Sequence, residues 1–306
     1  MRSSRTAHHT PRSTAFTLIE LMVAVALMSF IILGLLAMFT QTQRAFRASM
    51  TQTDVLESGR IATDMIVREL AQISASDRPY TTNFFAEVLK TFNQPLTQGL
   101  PGTTRGAPGT EDQRTNLVQR IFFLTQSNQT WLGIGYTVVP DYANAGVGTL
   151  YRFSTNHNNY TATNMSGEFQ AAGLTNMNRI SDGVVHFRVR AFATNGYPIL
   201  YDGIRTNAIF RTNSFYNGYM KMRNAAASVP LALAPDQVDY YFMSNALPAY
   251  LELELGIIEP HILDRFKAIG SANAQAQRRY LSNHVAQVHL FRQRIPVRTV
   301  DFSAYQ

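Results

Sequence analysis

Cysteine is absent from the 306 residues, which excludes a disulfide framework, a thiolate nucleophile, an iron–sulfur cluster and any cysteine zinc site. A chain of this length must then be stabilised by core packing alone, and it is long enough for that. Charge is scarce as well. Asp, Glu, Lys and Arg make up 15% of the residues, and no Lys/Arg run of the kind that tracks a phosphate backbone occurs. The net charge of +7 does not restore a nucleic-acid reading, because Arg2, Arg5 and Arg12 supply three of those charges ahead of a long apolar segment. The remaining +4, spread over the rest of the chain, is a weak field. Motifs of catalysis are missing too: no Gly-Lys-Ser/Thr ending follows Gly102, Gly106 or Gly109, and there is no HExxH helix and no Gly-x-Ser-x-Gly elbow.

What is present begins with residues 16–39, an apolar segment whose only ionisable side chain is Glu20. About two dozen residues at 1.5 Å rise exceed the roughly 30 Å hydrocarbon core, whereas a secretory h-region runs to only about 7–15 residues. The arginines in front hold the N-terminus in the cytoplasm and send the remainder outward. A carboxylate at membrane depth costs on the order of 3 kcal/mol unless it is paired or displaced toward the interface, and a plain signal anchor does not need one. Glu20 lies four residues after Phe16. If the chain began at Phe16, its α-ammonium group and Glu20 would be opposite charges available for pairing between adjacent helices.

The string Phe16-Thr17-Leu18-Ile19-Glu20, followed by Leu21-Met22-Val23-Ala24, resembles the signature of type IV prepilins and of the pseudopilins of type II secretion. The resemblance implies cleavage between Ala15 and Phe16 by the prepilin peptidase, methylation of the new Phe16 amine, and use of Glu20 in assembly with other pilins or pseudopilins on an inner-membrane platform, the head being periplasmic. Ala15 stands where the family normally carries Gly, and slower processing is expected from that departure. The other readings of the segment are an uncleaved signal anchor and a conventional secretory signal.

No proline occurs between residues 16 and 78, so the helix is expected to continue through a polar second half. There Ala62, Met65, Ile66, Leu70 and Ile73 recur at helical spacing, while Arg60, Asp64 and Arg68 face outward, the last two as an i, i+4 pair. Beyond Pro79 the pattern changes to strands. The abundance of Phe and Tyr, 19 and 14 copies, suits strands better than helices. Residues 117–125, 131–139 and 147–153 read as an antiparallel meander; residues 185–191 and 251–255 alternate with the period of half-buried strands. A short helix at 262–267 and a strand through 285–295 follow. Residues 91–116 and 154–178 read as loops. This gives an α+β fold: a cytoplasmic leader over 1–15, a transmembrane and amphipathic helix over 16–75, and an antiparallel β-sheet head over 76–306, with the helix packed on the sheet. The order of elements, with its Gly-Tyr-Thr-Val and Leu-Tyr-Arg-Phe strands, is similar to the larger minor pseudopilins and minor pilins, the J-type and W-type groups.

Chemistry in the head is expected to be bland. Glu252 and Glu254 read as a solvated strand face, His186, His284 and His289 as dispersed, and Trp131 as a packing residue rather than a sugar platform. No enzyme site, metal or cofactor is expected, and the head from Ser76 onward is expected to fold as a soluble, strand-rich monomer. Two functions fit: a minor pilin or pseudopilin, with DNA uptake as a variant, or a membrane-anchored binding protein or enzyme that uses the helix only for display.

Overall fold

A computed structural model describes residues 17–89, 97–104, 111–141, 146–158, 164–199, 219–224, 238–270 and 272–300. The chain divides into two compact units, Met1–Thr51 and Gln52–Gln306. Helix α1, Leu18–Leu70, supplies what is described of the first unit and the opening segment of the second. With neither proline nor glycine between residues 60 and 70, the helix runs unbroken to Leu70 and closes in a turn at residues 71–72.

The second unit is built on one antiparallel sheet. Its strands are β1 (Thr82–Val88), β4 (Gln119–Ser127), β5 (Thr130–Pro140), β6 (Gly148–Asn158), β7 (Met177–Phe192), β8 (Tyr219–Asn224), β9 (Val238–Met243), β10 (Tyr250–Ile258) and β11 (Val288–Pro296). Their order across the sheet is β11-β10-β7-β6-β5-β4-β1-β9-β8. The expected meander is the run β4–β6, and β7 extends it, each pair antiparallel. Between β4 and β5 only two residues intervene, and Asn128 takes the positive φ (55°) that so tight a reversal requires and that Asn tolerates.

One face of this sheet is covered by α1. Ala62, Ile66, Leu70 and Ile73 are buried and Met65 packs beside them, so the helical stripe read from the sequence is the stripe that docks. It meets Phe84, Phe123, Ile134, Leu253 and Leu255, among others of the same core. Gly59 contributes by having no side chain: a Cβ there would stand 2.2 Å from the Phe291 ring, so the bare backbone is what lets helix and strand approach. A polar clamp adds to the apolar contact. Arg152 on β6 bonds Glu69 of α1 with two nitrogens (2.8 and 3.1 Å), and the Tyr136 hydroxyl donates to the same carboxylate. Burial, and then the hydrogen bond to Glu69 and its charge, push the Tyr136 phenol upward, so it remains a neutral donor. Where the chain leaves the helix, buried Asn83 accepts from the Ser76 amide (3.0 Å) and donates to the carbonyls of Ser244 (2.6 Å) and Ala246 (3.1 Å), tying the first connection to the one after β9.

The opposite face is covered by short helices. In α2 (Met165–Ala171), Met165 and Phe169 join Phe85, Phe122, Trp131 and Phe153 in a second cluster. Gly135 leaves room for the Phe169 ring, which a Cβ would approach to 2.5 Å. Helices α3 (Pro260–Ile269) and α4 (Ala274–Asn283) bury Ile262, Leu263, Phe266 and Leu281 in a third cluster. Pro260 opens α3 and Gly270, at φ 73°, follows it, the usual asymmetry of helix ends.

Several expectations are corrected. Residues 97–104 and 111–115, read as loop, form a two-stranded sheet of β2 (Thr97–Thr104) and β3 (Glu111–Thr115), whereas 91–96 and 105–110 lie outside the described residues. Residues 154–178 hold the end of β6, α2 and the start of β7, because Met165 and Phe169 give an otherwise polar stretch one buried helical turn. α4 is an element the sequence reading left unassigned; Asn273 caps it by accepting from the Ala276 amide. The ion pair on the outer face of α1 is Arg60–Asp64 (3.8 Å) rather than Asp64–Arg68; both are solvated i, i+4 spacings worth only a few tenths of a kcal/mol.

The buried stripe of α1 bears on the expectation that the head folds from Ser76 onward. A chain starting there lacks Ile66, Leu70 and Ile73, each nearly inaccessible, and three losses of about 2–5 kcal/mol each are as large as the whole stability of about 5–15 kcal/mol that a domain holds. The fragment 52–306 is therefore expected to melt cooperatively, and the fragment 76–306 to bind a hydrophobic dye and show no cooperative transition. Differential scanning calorimetry of both decides; matching transitions would mean that α1 is not part of the core.

Candidate functional site

Helix α1 begins with a reciprocal cap. Thr17 precedes the first helical residue, and Glu20 is the third residue within the helix. The Glu20 amide donates to Thr17 Oγ1 (3.4 Å), while Glu20 Oε2 accepts from both the Thr17 amide (2.9 Å) and its hydroxyl (2.8 Å). This is the Thr-x-x-Glu capping box, which satisfies amides that helix geometry leaves without partners, and an N-cap of this kind is worth about 1 kcal/mol. The spacing was legible in the sequence, but the reading of Glu20 as an intersubunit charge obscured it. Both contacts use Oε2; Oε1 takes no hydrogen bond among the described residues. Ala15 and Phe16, the expected processing pair, lie outside the described residues.

From Leu18 to Arg47 the helix is long and apolar enough to cross a membrane. Thirty residues rise about 45 Å, more than the roughly 30 Å hydrocarbon thickness. Its large side chains are exposed throughout, Leu18 at 77% and Phe30 at 75%, for example. Apolar surface on that scale is costly in water, at about 25 cal/mol per Å². Its few hydroxyls are satisfied within the helix: Ser29 donates to the Val25 carbonyl (2.8 Å), Thr40 to that of Ala37 (2.8 Å) and Thr42 to that of Met38 (2.9 Å). A span in lipid has to satisfy its polar groups internally in this way.

In the head, Glu252 and Glu254 are not a solvated face. They are 7% and 6% exposed, and lie between two strands rich in arginine. Across β10, Glu252 stands opposite Arg190 and Arg294, and Glu254 opposite Arg188 and Arg292. The closest contacts are diagonal: Arg292 to Glu252 at 2.8 Å and Arg190 to Glu254 at 3.2 Å. His186 Nδ1 accepts the Leu117 amide (3.0 Å), leaving Nε2 to carry the proton shared with Glu254 Oε2 (3.2 Å). Burial raises the Glu254 carboxyl, but the His186 hydrogen bond and the charge of Arg190 outweigh it and bring the carboxyl from 4.5 down to about 2. Alternation alone does not distinguish such a ladder from a wet strand, because acids and apolar residues alternate in both. The signal lay in the partner strands, where Arg188 and Arg190, and Arg292 and Arg294, share the spacing of two.

The remaining residues of interest are separate. His284 bonds the Tyr280 carbonyl (2.7 Å), His289 pairs with Glu259 (3.2 Å), and Trp131 is buried in the second cluster. Among the described residues no group of three or more His, Cys, Asp or Glu is placed to hold a metal ion.

The prokaryotic N-terminal methylation motif matches residues 10–36, which span the expected cut, the capping box and most of the apolar helix. No curated protein and no solved structure matches the chain. Motif and apolar helix together support a type IV pilin- or pseudopilin-like precursor, with a helix that fits a single-pass membrane anchor. The motif implies processing by a prepilin peptidase and assembly with other pilins.

Glu254 yields a pH signature. Its unfolded form binds a proton near pH 4.5 and its folded form only near pH 2, so its contribution is complete above about 4.5 and is lost as pH falls toward 2. The thermal midpoint should therefore drop across that window. Glu254→Gln should lower the midpoint at neutral pH, by stranding buried arginine charge, and flatten the acid limb. Melting curves of both proteins from pH 7 to 2 test this; parallel acid limbs would show that Glu254 is not the group responsible.

Proposed function

We propose that the chain is a minor pilin or pseudopilin, a structural subunit of a type IV pilus-like or type II secretion filament. In this reading residues 1–15 are a cytoplasmic leader, 16–75 the helix by which the subunit is inserted and assembled, and 76–306 the periplasmic head. The prepilin peptidase cuts between Ala15 and Phe16, and the Phe16 amine is methylated. The processed subunit leaves the inner membrane through the assembly platform and joins other pilins or pseudopilins. Arginines ahead of the span support this orientation, and proteins with this motif are typically structural subunits rather than enzymes.

The observation that carries the proposal is a carboxylate inside an otherwise apolar and fully exposed helix, within a methylation motif. A display anchor needs at most a polar side chain there to close the first turn, which an uncharged Gln supplies as well as Glu. In a filament, Glu20 meets the Phe16 ammonium of a neighbouring subunit, in a low-dielectric core where either charge alone is costly. The capping box refines this role: Oε2 is engaged by Thr17, and Oε1 is the atom assigned to the neighbour.

Mass spectrometry of the mature protein is expected to find N-methylated Phe16 at its start. An intact Met1, or a start well beyond the span, would return the chain to the anchored-protein or secretory-signal reading.

Glu20→Ala is expected to enter the membrane and be cleaved normally, since removing a charge eases insertion, yet to lose most of its incorporation into filaments. Because that substitution also removes a cap, Thr17→Ala is the control: it weakens the cap and keeps the carboxylate, so it should incorporate far better. Cross-linking to the other subunits at equal membrane abundance is the measurement. Undiminished incorporation of Glu20→Ala, or equal loss in both variants, would remove the assembly role of the Glu20 charge.

A further inference from the structure

The ladder on β10 is complete on both sides, and the one on β11 is not. Each glutamate of β10 has an arginine directly across on β7 and another on β11, so four guanidinium groups flank two carboxylates. Strand β11 is the last in the sheet, and among the described residues no strand pairs with its outer edge. Arg292 and Arg294 thus meet acids on one flank only. Arg292 exposes about half of its side chain (54%). Arg294 is held in position by the Phe192 and Tyr250 rings, 4.7 and 4.8 Å from its guanidinium carbon. The opposite face of β11 presents Phe291 and Ile295 toward the core covered by α1.

We propose that the outer edge of β11 is a strand-addition site for an extended segment of a partner protein that alternates acidic and apolar residues, as β10 itself does. Backbone groups along the nine-residue edge supply the pairing. Arg292 and Arg294 supply the register, since a one-residue slip carries the acids to the wrong face. Apolar residues of the incoming strand extend the core face beside Phe291 and Ile295. A second copy of β11 fits poorly, because antiparallel self-pairing centred on residues 292–294 sets arginine against arginine and no register of it supplies an acid. The inference concerns the head alone and does not rest on the filament role of the helix.

Charged edges also discourage indiscriminate pairing, and the two roles separate by experiment. The probe is a fluorescein-labelled peptide carrying the sequence of residues 251–255 between flanking serines, titrated with full-length protein in detergent micelles and read by fluorescence anisotropy. Saturable binding is expected, weakened at least tenfold by the Arg292→Gln, Arg294→Gln double substitution and by Glu→Gln changes in the peptide. Methylating alternate backbone nitrogens of the peptide should abolish binding to the unaltered protein, a readout independent of whether the double variant folds. Absence of saturable binding, or equal binding of the glutamine or N-methylated peptide, overturns the proposal. So does displacement of the peptide by a single-stranded oligonucleotide, which would make the arginines a phosphate site.

Discussion

Burial of one helical stripe against one sheet face is the constraint from which the head is built. Ile66, Leu70 and Ile73 are almost wholly inaccessible, and they lie against strands that are far apart in sequence but adjacent in the sheet. Hydrophobic burial is non-directional, so it does not set how the two surfaces register. The directional contacts do that: the Glu69 clamp fixes the helix against β6, Asn83 fixes the exit from the helix, and Gly59 sets the distance to Phe291. Each is small beside the apolar term. Together they select one docking from many of similar area.

The same backbone serves a second environment. Between Leu21 and Phe39 its side chains are apolar on almost every side, and after Val55 they are apolar on one stripe. A helix that is hydrophobic all round belongs in lipid or among other helices; one with a single apolar stripe belongs on a protein surface. The transition needs no special residue, only a change in periodicity along an uninterrupted run of hydrogen bonds.

What the sequence disclosed follows the same division. The apolar span, the amphipathic stripe and the meander were legible because each is a local pattern repeated over many residues. The strands β1 and β9, buried on the core face through Phe84 and Phe242, were not, since their neighbours come from opposite ends of the head and no turn joins them. α2 and α4 are short and polar, and tertiary contacts rather than propensity place them. At the N-terminus the motif could be read and the cap, although present in the spacing, was missed. On β10 the sequence was read one strand at a time, whereas the burial of Glu252 and Glu254 is a property of three strands.

The capping box has a consequence for the precursor itself. Among the described residues its hydrogen bonds join Thr17 and Glu20, both on the downstream side of the proposed cut. The first helical turn is therefore specified by residues that cleavage leaves in place, and trimming the chain does not require the span to rewind. If the chain is cut before Phe16, precursor and product hold the same capped first turn, so the winding of the span is inherited by the product and need not be formed anew.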